Sequence, residues 1–117
     1  MEPPAYSRLS LMKEYLGDDP IQIKEMVQLF LETYPIDIHE LEQACLDRNY
    51  SILQKTAHRL KSSVQLFNLD DAREILVTIE MSAMNEGAFS TFLPLIQQFK
   101  SLMETEVKNI QTEIQLL

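Results

Sequence analysis

The sequence predicts an all-α protein, an antiparallel up-down four-helix bundle with one or two short extra helices at its N-terminal end. Three observations carry that expectation. Apolar residues recur at the i, i+3/i+4 spacing of amphipathic helices through most of the chain. Only two Gly and five Pro interrupt 117 residues that are 45% apolar. No stretch reads as a strand, and no repeat of roughly 20 to 50 residues recurs. A chain of this length holds one core, so residues 1–117 are read as a single domain.

Taken in order, residues 7–16 read as a short first helix, a lid with Leu9, Met12 and Leu16 on one side and Gly17 as its stop. Asp18-Asp19-Pro20 is a start signal, because an aspartate cap accepts orphan amide protons and a proline in the first turn sacrifices no hydrogen bond. The second helix is expected over residues 20–33, with Ile23, Met26, Val27, Phe30 and Leu31 inward. Pro35 is expected to break or kink the chain. The stripe then resumes over residues 35–47 through Ile38, Leu41 and Cys45, with Asp37, Glu40 and Glu42 facing out. His39 lies among these acids and reads as a surface residue.

Asn49 caps the central run, residues 50–67, which contains no Gly or Pro. Its core stripe is Leu53, Ala57, Leu60, Val64 and Phe67. Ser51, Gln54, His58, Lys61, Ser62 and Gln65 cluster on the opposite side. Asn68 ends the run, since Asn tolerates the left-handed conformation of a helix stop. Asp70 is expected to cap the next helix, whose inner face is Ala72, Ile75, Leu76, Ile79 and Ala83, up to Gly87. Ser90 is expected to cap the last, with Pro94 in its opening turns and Leu95, Phe99, Leu102, Val107, Ile110, Ile114 and Leu117 inward. At these spacings Met12, Met26, Met81, Met84 and Met103 read as core filler.

Composition narrows the function classes. The formal net charge is −8, so general binding to nucleic acid or to an anionic membrane is disfavoured by repulsion. Arg48, Lys55, Arg59 and Lys61 nevertheless gather on or near the central helix. Cys45 is the sole cysteine; it reads as a small buried hydrophobe, which excludes an internal disulfide and argues against a thiolate zinc site. The N-terminal Met-Glu-Pro-Pro-Ala-Tyr has neither a basic leader nor an apolar signal core, and no apolar run approaches the roughly 20 residues that span a bilayer. A soluble cytoplasmic protein, monomeric and without a cofactor or metal of its own, is the expectation.

Chemistry points to His58. A neutral imidazole is nucleophilic near physiological pH and can carry a phosphoryl group. Lys61, one turn on, would offset the added charge by about 1 kcal/mol at 4 Å in water and nearer 4 at an effective dielectric of about 20. Ser62 and Gln65 can supply hydrogen bonds to the phosphoryl oxygens or the ring. No Gly-rich phosphate loop is present for ATP, no nucleophile elbow for a hydrolase, and no Glu-x-x-His pair for a bundle metal site. The residues alone favour an ordinary surface histidine on an acidic bundle over a phosphoacceptor.

Ala57-His58-Arg59-Leu60-Lys61-Ser62-Ser63, followed by Asn68-Leu69, resembles the signature of the histidine-containing phosphotransfer (HPt) domain of bacterial phosphorelays. The layout of nearly the whole chain is similar as well. The resemblance implies a four-helix bundle in which His58 is the phosphoacceptor and Lys61 steadies the phosphoryl group. It implies receiver domains of response regulators or hybrid kinases as partners, with magnesium belonging to the receiver. Ser62 stands where the family usually has glycine, and Asn68 where a glycine commonly ends the helix.

The expected function is therefore a phosphorelay intermediate without ATP-dependent kinase activity. His58 would take phosphoryl from one receiver aspartate and pass it to another, while Lys55, Arg59 and Leu66 meet the docked receiver. The alternative is a non-transferring module that sequesters a receiver because Ser62 crowds the site. A histidine-kinase dimerisation hairpin is a third reading; it would need an intertwined dimer and an attached ATP-binding domain.

Overall fold

A computed structural model describes residues 7–117; the reading of residues 1–6 as lacking a leader lies outside the described residues. The chain is all-helical, with α1 Ser10–Leu16, α2 Pro20–Leu46, α3 Tyr50–Gln65, α4 Asp70–Met84, a 3-10 turn Phe89–Thr91 and α5 Phe92–Gln115. Short connections turn each long helix back on the last. The contacting pairs α2/α3, α3/α4, α4/α5 and α5/α2 close a ring of four, with α1 laid on α2 as the one short extra helix. At 1.5 Å per residue α2 spans about 40 Å, which accounts for the 45 Å long dimension of the molecule.

The helix boundaries follow local chemistry. Asp19 accepts from the Ile21 amide with Pro20 at the first helical position, and Asn49 accepts from the Ile52 amide. Gly17 and Asn68 both take positive φ, 75° and 57°, and end α1 and the turn after α3. Asn68 also donates from Nδ2 to the Ser7 carbonyl at 2.7 Å and to Ser10 Oγ at 2.9 Å, tying the α3–α4 corner to the start of the lid.

Several expectations are corrected. Pro35 does not end the second helix: α2 is continuous from Pro20 to Leu46. Val27, Phe30, Ile38 and Leu41 are buried on both sides of it. Each buried side chain contributes about 1.5 to 3 kcal/mol, which together exceed the roughly 3 kcal/mol cost of an interior proline. The first helix starts at Ser10 rather than Ser7, because Ser7 accepts from the Leu9 amide and is engaged with Glu113 of α5. Asp70 is the first residue of α4, not its cap; that place belongs to buried Leu69, and Asp70 and Asp71 instead complement the positive helix end. Helix α4 stops before Gly87, since Glu86 takes φ 52°. Ser90 lies in the 3-10 turn and caps nothing.

One core runs the length of the bundle. Leu53, Ala57, Leu60 and Val64 of α3 are all fully buried, as the stripe requires, and the Phe67 ring packs tilted against Phe30 at 4.6 Å between ring centroids. Cys45 is buried, and burial is the main reason its thiol pKa lies above the ordinary value. Of the methionines, Met12 and Met103 are core, whereas Met81 and Met84 are 50% and 54% exposed on α4. They are not core filler. No helix among the described residues is long and apolar enough to cross a membrane.

Candidate functional site

The core stripe of α3 fixes what the opposite side presents. Ala57 and Leu60 are buried, so His58 between them projects outward, and its side chain is 64% exposed. One ring nitrogen is occupied. Nδ1 lies 2.6 Å from Oε2 of Glu80, a residue of α4 whose side chain is only 10% exposed. The other carboxylate oxygen, Oε1, accepts from Lys61 Nζ at 2.7 Å. Burial alone would raise the Glu80 pKa, but the hydrogen bonds from Lys61 and His58 outweigh it and hold the carboxyl below its ordinary range.

An ionised carboxylate can only accept, so the proton of a neutral imidazole resides on Nδ1 and the lone pair on Nε2. That nitrogen is on the edge turned away from Glu80. The site thus presents a nucleophilic nitrogen of fixed tautomer to solvent, with a counter-charge ready for the cation that forms when Nε2 acquires a substituent. The same support logic, a buried carboxylate orienting a histidine, operates in nucleophilic enzymes.

The other sequence-derived residues divide by side. Ser62 is exposed, and its hydroxyl donates back along the helix to the His58 carbonyl at 3.4 Å. Gln65 is exposed on the same strip, two turns on from His58. Lys55 shares an open groove with Gln54, His58, Glu80 and Met84. Arg59 turns to α2, where it donates to Asp37 at 2.8 Å and Glu40 at 3.0 Å; the Asp37 bond is the largest cause of its raised pKa. Leu66, half-buried, borders an apolar hollow with Met12, Met26, Leu29, Phe30 and Phe67. His39 is exposed on α2, as expected. Among the described residues no group of three or more His, Cys, Asp or Glu side chains could hold a metal ion.

Sequence reasoning missed Glu80. Its signal was present: a carboxylate directly after Ile79 at the border of the buried face of α4, where a charge needs a partner. What no pattern supplied was which helix and which register would meet it.

An exposed histidine on the second helix of a four-helix ring, backed by a carboxylate and a lysine, defines a helical phosphotransfer module. The family model of the Hpt domain matches residues 25–115, and the chain belongs to the Hpt domain family. Histidine phosphotransfer in phosphorelays, in concert with receiver domains and without kinase activity, is the general role of such domains. No curated protein and no solved structure matches the chain. The segment that includes α1 lies before the matched region.

Proposed function

We propose that this protein, as a single domain, is a phosphorelay intermediate in which His58 takes a phosphoryl group from the aspartate of one receiver and delivers it to that of another. The observation that carries the reading is the pairing of an exposed ring with buried Glu80, which leaves Nε2 as the nucleophile. In the step, the Nε2 lone pair attacks phosphorus, the N–P bond forms as the P–O bond to the receiver aspartate breaks, and the aspartate leaves as a carboxylate. The proton stays on Nδ1, shared with Glu80. Reversal of these events passes the group on.

Lys61 supports the same charge through Glu80, and Gln65 and Ser62 border the approach. Because the Ser62 hydroxyl is directed to the His58 carbonyl, it lies along the helix rather than over the ring, which favours transfer over sequestration. The receiver seats on the apolar hollow beside Leu66, and Lys55 faces its acidic pocket, whereas Arg59, engaged by Asp37 and Glu40 of α2, is not directed there. Working as a monomer in the cytoplasm, without nucleic acid or membrane, belongs to the same proposal.

Incubation with a phosphorylated receiver tests it. Transfer gives acid-labile, alkali-stable label on this chain, and His58→Gln abolishes the label with an unchanged circular dichroism spectrum. Label that persists in the variant shows that another residue is the acceptor; stable binding without label shows the sequestering alternative.

A further inference from the structure

Asn68 does two things, and ending a helix needs only one of them. Its φ is 57°, a backbone that glycine adopts at no steric cost, so the stop after α3 does not call for a side chain. The amide is directed to the lid instead: Nδ2 donates to the Ser7 carbonyl at 2.7 Å and to Ser10 Oγ at 2.9 Å. The same segment is fastened to α5. The Arg8 backbone amide donates to Glu113 at 2.9 Å, and the Arg8 guanidinium donates to both carboxylate oxygens of Glu106, at 3.2 and 3.3 Å. The lid thus bridges the α3/α4 corner and α5, and its Leu9 and Met12 are each 1% exposed.

What the lid holds in place is one wall of the apolar hollow. Met12 lines that hollow with Met26, Leu29, Phe30, Leu66 and Phe67, and Phe67 immediately precedes Asn68. The hollow is continuous with the site. His58, Ser62 and Leu66 recur at every fourth position and so share one ridge of α3. That ridge is about 12 Å long at 1.5 Å per residue, a distance that a partner presenting its phosphoaspartate to Nε2 spans readily. Leu29 on the facing helix is 54% exposed and Leu66 is half-buried, so the rim is apolar where such a partner lands. The lid itself, Ser10–Leu16, precedes the residues 25–115 that the family model covers.

We propose that Asn68 is a positioning residue for receiver docking: by anchoring the lid at the α3/α4 corner it fixes Met12 in the wall shared with Leu66 and Phe67, and so shapes the seat that the receiver occupies. The inference rests on the receiver seating on this hollow. Asn68 takes no part in bond making. Its effect is confined to how well the partner's apolar surface fits.

Asn68→Gly tests it, because glycine keeps the left-handed backbone and removes both lid contacts. Asn68→Asp keeps the size of the side chain but has no donor for the Ser7 carbonyl. Phosphorylation of the full chain is followed with two donors. One is a receiver domain charged with acetyl phosphate, which must dock; the other is phosphoramidate, which is too small to need the hollow and loses ammonia as Nε2 takes its phosphoryl group. In both variants KM for the receiver should rise about three- to tenfold, the range set by losing one or two hydrogen bonds. The kcat and the phosphoramidate rate should stay at the parent values, and the α1 amides should exchange hydrogen faster. An unchanged KM in either variant, unchanged α1 exchange, or a phosphoramidate rate that falls in step with the receiver rate overturns the assignment. Leu66→Ala separates the levels: if KM for the receiver does not rise there, the hollow is not the seat and the docking reading fails. If neither donor labels the unsubstituted chain, the carrier reading itself fails.

Discussion

His58 and Glu80, 22 positions apart in sequence, meet through a 2.6 Å contact between Nδ1 and a carboxylate oxygen. The contact joins an exposed nucleophile to a buried charge. Because Glu80 simultaneously accepts from Lys61, one carboxylate organises both of the polar groups that define the site.

Glu80→Gln keeps the shape and an acceptor oxygen but removes the charge. The gap between a charged and a neutral hydrogen bond is about 1 to 1.5 kcal/mol, so the rate of transfer to His58 should fall about tenfold. Glu80→Ala should fall further, since the ring then loses its orienting partner. Rapid-quench measurement of labelled protein against time separates these, and an unchanged rate in Glu80→Ala would show that the contact has no part in transfer.

Acid stability should report the same carboxylate. Its folded-state pKa lies below the ordinary 4.5, so the unfolded chain binds the proton first as pH drops. The stabilisation is complete above about 4.5 and is lost as pH falls through the depressed folded value. Urea unfolding from neutral pH to pH 3 should therefore show a decline in the parent that is shallower in Glu80→Gln. Parallel curves would remove Glu80 from the acid response.

Thr56 is 1% exposed, and its hydroxyl has no hydrogen-bond partner among the described residues. Thr56→Val replaces that hydroxyl with a methyl of similar shape. The variant should be more stable by about 1 kcal/mol in urea denaturation; a loss of stability would mean the hydroxyl is satisfied.

Pro35 lies inside α2 and denies the Leu31 carbonyl its usual donor. Pro35→Ala should restore that bond and raise stability by about 1 to 3 kcal/mol, seen as a higher Tm with slightly more helical circular dichroism. A lower Tm would show that the proline ring packs better than it disrupts.

The residues that could be placed from sequence are those governed by their near neighbours. Asp19, Asn49, Gly17 and Asn68 mark boundaries because capping and left-handed backbone are decided within about four residues. The outward direction of His58 followed from Leu53, Ala57, Leu60 and Val64, since a helix of fixed period cannot bury that stripe without exposing the other side. Met81 and Met84 were misplaced by the same reasoning, because an apolar side chain at the edge of a stripe can lie on either side of the burial boundary.

By itself, then, the sequence determined the amphipathic faces, the boundaries marked by Gly17, Asp19 and Asn49, and the histidine that a partner can reach. The tertiary structure alone decided that α2 runs through Pro35, that Arg59 is drawn to Asp37 and Glu40, and that Glu80 lies under both His58 and Lys61. The physical reason is range: periodicity and capping act within a few residues, whereas the choice of facing helix and its axial register is set by packing summed over the whole core.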